Sequence, residues 1–508
     1  MSNPIKKLAG QTVIYGLGTI LPRFLNYLLT PLLTYIFQKP VDYGVNSEMY
    51  AYIAFLNVIF TYGMETAFFN FSSKREDKDN VFHTALTSIL LSSVIFSLLL
   101  FVFSGSIANW LEYPDKFNYV YWTILILATD AIMAIPFAKL RLSNQAMKFA
   151  LIKAANVFVN IGLHIFFFVI CKNAYEANDG SSLASFYDPQ IGIGYAFLSN
   201  LLANLFSLLL LAPQFKHFRF AIDKELWLQM LGYAWPLLIL GLAGMVNETF
   251  DRIIIKKLLP EDIGKHAQGI YGACYKISIL MTVFIQAFRY AAEPFFFNNA
   301  KDKDSKKTYA FVMKVFVIFC SFLFLVTMMN LPIIKYFVSE PYWEGLSVVP
   351  VLLIANLFLG VYFNLSIWYK LTGQTKYGAS ITIVGAIITL VINFIFVPQF
   401  SYNASAWATL AAYGSMAVIS YFLGQKHYPI KYNVRAMSVF FILAIGFYFL
   451  SFTWQQLESR YLRLILNNLL VVLFVFLFYK LEFSNLKKFK TSPSANDQDH
   501  QPVKPSAS

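Results

Sequence analysis

Long apolar segments recur along this chain, and they constrain its fold more than any other feature. About 14 such segments are separated by short polar connections, and most are at least about 20 residues long. A helix needs about 20 apolar residues to cross a hydrocarbon layer of about 30 Å. Only helices and closed barrels satisfy every backbone polar group there, and the short alternating segments of barrel strands are absent. The sequence therefore predicts an all-α membrane protein with about 14 transmembrane helices.

The composition agrees with this prediction. The chain is 58% hydrophobic and 13% charged, whereas a soluble protein is about a quarter charged. No short apolar run followed by a small-residue cleavage site opens the chain, so we expect the first segment to be a retained helix. The spans are predicted near residues 11–37, 46–70, 82–109, 118–139, 149–171, 190–212, 228–255, 266–296, 308–337, 346–369, 377–398, 402–424, 434–453 and 461–480.

Positive charges concentrate in alternate loops, which indicates an orientation. When the N-terminus is placed inside, the loops on that side carry a roughly threefold excess of Lys and Arg. The opposite side holds few cations, including a small group at Lys256, Lys257 and Lys265. Both termini are therefore predicted to be cytoplasmic. The net charge of +13 is explained by topology, so we expect no nucleic-acid partner.

The two halves of the chain resemble each other. The segment Glu65–Ser72 (ETAFFNFS) ends the second span, and Glu293–Ala300 (EPFFFNNA) ends the eighth. Because the copies lie six spans apart, both enter the membrane in the same direction, which defines a parallel repeat. We predict an N-terminal six-helix bundle, a C-terminal six-helix bundle, an extra helix pair and a disordered cytoplasmic tail. Their boundaries are 1–212, 213–424, 425–483 and 484–508.

Glycine and proline occur at corresponding places in the first and seventh spans. Interrupted spans in matching positions of two repeats are typical of transporters, where they flank a central site. Proline frees a backbone carbonyl and kinks a helix. The pattern predicts broken helices at Gly16, Gly18, Pro22 and Pro31, and at Gly232, Pro236, Gly241 and Gly244.

Three segments carry a resemblance to a known family. They are Lys6–Gly18 (KKLAGQTVIYGLG), Asn247–Ile255 (NETFDRIII) and Gly269–Lys276 (GIYGACYK). With the two-half plan, they make the chain resemble the Wzx-type polysaccharide flippases of the multidrug/oligosaccharidyl-lipid/polysaccharide exporter (MOP) superfamily, over about residues 1–480. The resemblance implies a monomeric multi-pass protein of the bacterial cytoplasmic (inner) membrane. It also implies an undecaprenyl-pyrophosphate-linked oligosaccharide as the substrate, flipped outward for O-antigen, lipopolysaccharide or capsule synthesis. The implied partners are membrane lipid, a polymerase and glycosyltransferases.

Charged residues inside the predicted spans are candidates for a binding site, because an ionisable group in hydrocarbon is costly unless it faces a wet cavity or a partner. Arg23 lies in the middle of the first span, and its guanidinium suits a pyrophosphate. The alternative for Arg23 is an ion pair that holds helices together. Lys276 is a second candidate for phosphate binding. Arg252 is a third, although it could instead mark the membrane interface.

Carboxylates in the spans have two predicted roles. Asp130 and Asp251 are candidates for ion coupling, with Asp130 the isolated carboxylate best placed to carry a proton. The other acidic residues have cations at helical spacing and predict structural ion pairs. These are Glu248 with Arg252, Arg289 with Glu293, and Glu65 in the place that matches Glu293.

Two other functions agree less well with the sequence. A multidrug or cation-coupled exporter of the same superfamily would have a less cationic cavity. A membrane enzyme of polysaccharide synthesis would need an acidic or histidine-bearing site at the membrane surface, but the histidines are scattered and no nucleotide-binding glycine loop occurs. Three distant cysteines, Cys171, Cys274 and Cys320, predict buried thiols. We therefore predict no catalytic residues, no metal and no cofactor.

Overall fold

The computed structural model describes Pro22 and residues 24–177, 181–298, 300 and 304–491, and none of these residues lies in a β-strand. Thirteen of the described helices are long and apolar enough to cross a membrane, and a shorter apolar helix precedes them. The predicted all-helical membrane fold is therefore confirmed. In chain order the helices are α1 (Phe24–Ile36), α2 (Pro40–Lys74), α3 (Lys78–Val102), α4 (Phe117–Leu142), α5 (Ala146–Ala177), α6 (Gly192–Phe215), α7 (Lys224–Leu258), α8 (Glu261–Phe297), α9 (Ser305–Met329), α10 (Glu340–Leu371), α11 (Thr375–Phe400), α12 (Tyr402–His427), α13 (Val434–Trp454) and α14 (Arg460–Glu482).

Helix starts follow local sequence signals. The side chains of Asp77, Asp223 and Asn433 accept hydrogen bonds from backbone N–H groups at the starts of α3, α7 and α13, at 3.0–3.1 Å. These N-caps satisfy donors that have no partner within the helix. Pro40 occupies the first turn of α2, where its missing N–H costs nothing. The polar connections thus set the helix boundaries.

Two predicted spans end earlier than expected. The third span was predicted to reach residue 109, but α3 ends at Val102 and a separate short helix covers Ser104–Trp110. Serine and glycine at 104 and 105 are weak helix formers, which favours a break there. The ninth span was predicted to reach residue 337, but α9 ends at Met329. A one-residue turn at Asn330 separates it from a short helix at Leu331–Ile334. Pro332 lies in the first turn of that helix, where its missing N–H costs nothing.

The second span contains a turn that only its tertiary setting explains. Helix α2 is interrupted at Tyr62 and Gly63, which both have positive φ angles of 32° and 74°. A Cβ atom on Gly63 would lie 3.0 Å from the carbonyl oxygen of Ala234 in α7. Glycine is therefore required there both for the left-handed backbone and for the close approach of the two helices.

The seventh span differs from its prediction. Helix α7 runs without interruption from Lys224 to Leu258, with Pro236 inside it. The prediction of a broken helix at this span is therefore wrong. Membrane helices tolerate proline because neighbouring groups and small local adjustments satisfy the freed carbonyl. Of the residues predicted to break the first span, Gly16 and Gly18 lie outside the described residues.

The C-terminal end also differs from its prediction. The apolar part of the last helix is α14 (Arg460–Glu482), and the helix continues beyond it to Thr491, so residues 484–491 of the predicted disordered tail are helical. Lysine and leucine are good helix formers, and they extend the helix beyond its apolar part. Residues 492–508 lie outside the described part of the chain.

The chain divides into two compact units. The first comprises Met1–Met313 and Lys335–Tyr432, and the second comprises Lys314–Ile334 and Asn433–Ser508. In the first unit α2 packs against α7 and α8, α4 packs against α3 and α6, and α12 packs against α10 and α11. The bundle boundaries predicted from the repeat stay a prediction.

In the second unit, polar contacts join its segments. The ammonium of Lys314 lies 2.5 Å from the carboxylate of Glu482, and both side chains are almost fully buried. The amide of Asn467 donates to the carbonyl of Met329 at 2.9 Å and accepts from the indole of Trp454 at 2.9 Å. Buried charges of this kind persist only with partners, so the pair orients the last helix within its unit.

Candidate substrate cavity

A polar cavity of about 320 Å³ lies in the first unit between α1, α7 and α8. Its lining combines charged and uncharged polar side chains with two tyrosines, Tyr27 and Tyr275. Among the residues that line it are Asn26, Glu248, Arg252, Lys276, Thr282 and Gln286.

Helical spacing brings these side chains to one surface. Glu248 and Arg252 are four residues apart on α7, so they lie on the same face. On α8 the lining residues Lys276, Val283 and Gln286 recur at intervals of seven and three residues, which also defines one helical face. The cavity is therefore the meeting point of one polar stripe from each of two long helices.

Arg252 is held by an aromatic stack. Its guanidinium carbon lies 4.3 Å from the centre of the Tyr275 ring, a distance typical of a cation–π contact. Its Nε atom is buried and has no hydrogen-bond partner among the described residues. Buried donors of this kind are normally satisfied, so an unpaired guanidinium N–H at a cavity indicates room for a ligand acceptor.

Neither cation of the cavity forms a salt bridge with a described carboxylate, although Asp251 and Glu248 lie close enough to Arg252 to interact with it electrostatically. In the part of the chain that the structure describes, no Asp or Glu oxygen lies within 4.0 Å of the side-chain nitrogens of Arg252 or Lys276. Glu248 is exposed to the cavity. The predicted ion pair between Glu248 and Arg252 is therefore not formed, because the guanidinium reaches across to Tyr275 on α8. With two cations and one carboxylate, the ionisable lining carries a formal charge of +1.

Arg23, the first predicted substrate-binding residue, lies outside the described residues. Its role stays a prediction. Asn26, three residues later, lines the cavity and accepts a hydrogen bond from Asn160 of α5 at 3.2 Å. This contact fixes the side of α1 that Asn26 occupies.

The two carboxylates predicted to couple ions lie apart from this cavity lining. Asp251 is buried and accepts hydrogen bonds from the Tyr271 hydroxyl at 2.5 Å and from the backbone N–H of Arg252 at 2.8 Å. Asp130 accepts a hydrogen bond from the Asn204 amide of α6 at 2.9 Å. Adjacent residues on a helix point about 100° apart, so Asp251 cannot share the face of its neighbour. Ion coupling at either residue stays a prediction.

The remaining predicted ion pairs occupy equivalent places in the two halves. Glu65 at the end of α2 pairs with Arg141 at the end of α4. Glu293 at the end of α8 lies 2.7 Å from Lys370 at the end of α10, and 3.8 Å from Arg289 on its own helix. Helices α2 and α4 precede α8 and α10 by six spans each. The matching pairs are what a parallel repeat predicts.

Several lining residues were missed by sequence reasoning. Thr282 has a buried hydroxyl without a hydrogen-bond partner among the described residues. Gln286 lies ten residues after Lys276, close to three helical turns, so a search for polar residues on its face would have found it. Asn26 and Tyr27 carried no comparable signal, because nothing in the local pattern places α1 against α7 and α8.

A larger cavity of about 500 Å³ lies between α2, α4 and α7. Its walls are mainly apolar, including Met49, Phe55, Leu127, Phe250 and Ile253. A charged group would be poorly solvated there. The smaller cavity is therefore the better candidate for a polar substrate. Within the described residues no cluster of His, Cys, Asp or Glu could hold a metal, and the three cysteines are buried and free.

Solved transporter structures share this fold. An inward-facing multidrug resistance MATE family transporter of the MOP superfamily matches with a TM-score of 0.65 and 13% identity, over 84% of this chain and 98% of that chain. Lipid II flippase MurJ in an inward closed conformation matches with a TM-score of 0.64 and 15% identity, over 92% of this chain and 99% of that chain. An outward-facing MATE family transporter of the MOP superfamily matches with a TM-score of 0.59 and 14% identity, over 87% of this chain and 97% of that chain. The fold is therefore that of the MOP-superfamily membrane transporters.

The chain belongs to the family described as polysaccharide biosynthesis protein, whose model matches residues 8–300. No curated protein sequence matches the chain. The family match confirms the predicted resemblance at the level of polysaccharide biosynthesis, and the solved structures add the shared fold.

Proposed function

We propose that this protein flips a lipid-linked oligosaccharide from the inner to the outer leaflet of a bacterial cytoplasmic membrane. The observation that carries the proposal is the pair of cations, Arg252 and Lys276, that line one cavity without a salt bridge to a described carboxylate. An anionic diphosphate between lipid and sugar is a ligand that such a pair would bind. We further propose an undecaprenyl carrier.

The lining residues have different roles in substrate binding. The Arg252 guanidinium is planar and already oriented by Tyr275, so it can donate two parallel hydrogen bonds to one phosphate. The Lys276 ammonium supplies a compact charge with three donors. Polar neighbours such as Thr282 and Gln286 suit sugar hydroxyls. The hydrocarbon tail stays in the bilayer, while the polar head crosses through the cavity.

Transport by this scheme requires alternating access. The two repeats would rock so that the cavity opens first to one side of the membrane and then to the other. We propose that both termini are cytoplasmic and that the protein acts as a monomer alongside glycosyltransferases and a polysaccharide polymerase. The family description supports a role in polysaccharide biosynthesis, and the products we propose are O-antigen, lipopolysaccharide or capsule.

A second candidate is a multidrug exporter. It is favoured by the fold shared with a protein described as a multidrug resistance MATE family transporter. The charge of the cavity argues against export of cationic drugs, since its lining contains one carboxylate, Glu248, and two cations. Electrostatic complementarity thus favours an anionic substrate.

A reconstitution experiment tests the proposal. Purified protein in proteoliposomes is given a fluorescent undecaprenyl-pyrophosphate oligosaccharide, and a membrane-impermeant quencher reports the fraction in each leaflet. We expect equilibration between leaflets well above that in empty liposomes. The matched negative control is the Arg252→Gln/Lys276→Gln double variant. A rate equal to empty liposomes, with efflux of a cationic dye by the same preparation, would replace the flippase by the second candidate.

A further inference from the structure

A cluster of charged residues joins the two halves at the end of the bundle that the loop charges predict to be external. It lies where α2 and the loop after the Ser104–Trp110 helix meet the end of α7 and the start of α8. We name it the latch cluster, and it consists of Glu48, Glu112, Tyr113, Lys256, Lys257 and Lys265.

Lys256 is the centre of this cluster. Its side chain and that of Glu48 are both fully buried. The Lys256 ammonium lies 3.1 and 2.9 Å from the two carboxylate oxygens of Glu48 and donates to the carbonyl of Leu111 at 2.6 Å. The Tyr113 hydroxyl donates to the same carboxylate at 2.7 Å, and its ring lies 4.2 Å from the ammonium. Every strong donor and acceptor of the central pair is thus occupied.

A second layer closes over this pair. The Glu112 carboxylate lies 3.0 Å from the ammonium of Lys257 and 3.6 Å from that of Lys265. Lys257 also lies 4.8 Å from the ring of Trp110. These side chains are only partly buried, so water reaches the outer layer and not the inner one. The cluster therefore has a dry core and a hydrated rim.

The backbones around the cluster are packed too closely for side chains to intervene. A Cβ atom on Gly269 of α8 would overlap the carbonyl group of Pro40 at the start of α2. Nearby, the Tyr342 hydroxyl donates to the carbonyl of Phe37 at 2.5 Å, and the Ser339 hydroxyl donates to the carbonyl of Thr34 at 2.7 Å. All these contacts join a segment before residue 48 to a segment of the second half.

Such a cluster has two stable states, one paired and dry and the other separated and hydrated. Charges in a dry interior are stable only when paired, and a partial separation leaves each without partner and without water. Full separation returns both charges to water and restores their solvation. Intermediate states are therefore costly, and the contact between the halves behaves as a two-state element.

We propose that the latch cluster holds the predicted external end closed in this conformation, and that its separation and hydration accompany opening to that side. The inference rests on the proposed alternating access. Its specific claim is that Lys256, which does not line the substrate cavity, decides which side is open.

Distances between spin labels test the proposal. Labels at Asp115→Cys and Asp262→Cys report the latch end, since both positions are exposed. Labels at Glu76→Cys and Lys376→Cys, also exposed, report the opposite end. The native cysteines are all buried and are replaced by alanine. Double electron–electron resonance then gives the populations of short and long distances in full-length protein.

Three variants distinguish loss of the latch contact from general destabilisation. Lys256→Met keeps an unbranched side chain one heavy atom shorter than lysine and removes its charge. We expect the ratio of long to short distances at the latch end to rise about tenfold or more. The Lys314→Met variant breaks a buried ion pair in the second unit and should leave these distances unchanged. Glu48→Lys/Lys256→Glu restores the pair in reverse and should return the short distance.

A milder variant keeps the test decisive if Lys256→Met does not fold. Tyr113→Phe removes only the hydroxyl that donates to Glu48 and should shift the populations in the same direction by a smaller factor. Unchanged distances in each folded latch variant would overturn the proposal. The distances need no substrate, so a protein whose latch opens as expected but flips no lipid-linked oligosaccharide would refute the proposed function alone.

Discussion

A series of substitutions at Arg252 separates the charge of the cavity from the shape of its anion-binding group. Arg252→Lys keeps the formal charge of +1 from Arg252, Lys276 and Glu248 but loses the planar fork and its stack on Tyr275. Arg252→Gln also removes the charge. Lys276→Gln removes one charge and leaves the fork in place. The three variants therefore test separate parts of the proposed site.

The magnitudes follow from the contacts. A hydrogen bond to a charged group contributes about 1.5–3 kcal/mol, and 1.4 kcal/mol corresponds to a tenfold change in affinity. We expect Arg252→Gln and Lys276→Gln each to weaken binding of the pyrophosphate-linked substrate by roughly 10-fold to 100-fold. Arg252→Lys should fall nearer the lower limit, since a lysine still supplies charge. If both cations bind one diphosphate, the double variant should deviate from the sum of the single effects.

The assay measures initial flipping rates in proteoliposomes over a range of substrate concentrations, with equal amounts of folded protein. The matched control is Lys376→Gln, which removes an exposed cation that does not line the cavity. The control should leave the apparent affinity unchanged. Apparent affinities within twofold of the unsubstituted protein for both Arg252→Gln and Lys276→Gln would refute the role of this cavity in diphosphate binding.

Three further outcomes are expected. Gly63→Ala should lower the free energy of unfolding by about 1–3 kcal/mol, and with it the melting temperature in detergent. The reason is that residue 63 has a φ of 74° and that a Cβ there would lie 3.0 Å from a carbonyl oxygen. An unchanged melting temperature would contradict this prediction. Lys314→Met should destabilise the second unit by about 1.5–3 kcal/mol, because Glu482 loses its buried contact with the Lys314 ammonium. Faster hydrogen exchange in α14 should report the loss, and unchanged exchange there would count against that reasoning. Partial burial raises the pKa of Glu112, but the hydrogen bond from Lys257 and the neighbouring lysine charges outweigh it and lower the pKa below 4.5. The Glu112 contribution is therefore present above pH 4.5 and lost as the pH falls through the lowered value, so exchange in the loop that holds Glu112 should rise in acid, whereas Glu112→Gln should remove this dependence.

Local patterns predicted the helices well because membrane insertion depends on the hydropathy of each segment by itself. Each of α2–α14 overlaps a predicted span, although α3 and α9 end earlier than predicted. The errors arose where a break depends on a single position, as at Gly63, or where a proline is tolerated, as at Pro236. Whether a helix bends, breaks or continues there depends on what packs against it.

The candidate site was predicted in part. Arg252 and Lys276 were chosen because charge inside a membrane needs a wet cavity or a partner, and the structure brings both to one cavity. Glu248 was predicted to pair with Arg252 from helical spacing alone. Spacing states which residues can meet but not which partner an adjacent helix offers, and here Tyr275 is that partner.

Membrane-spanning helices, the polar segments between them and the residues whose charge requires a special environment can all be predicted from local sequence, because each depends on composition within about 20 residues. The tertiary structure alone decided which charges meet. Glu48 and Lys256 are 208 residues apart, and Lys256 was predicted only as one of a few cations on the external side. Their pairing depends on how the two halves pack, because a buried ion pair is set by distance in space and by the exclusion of water, and no local pattern encodes either.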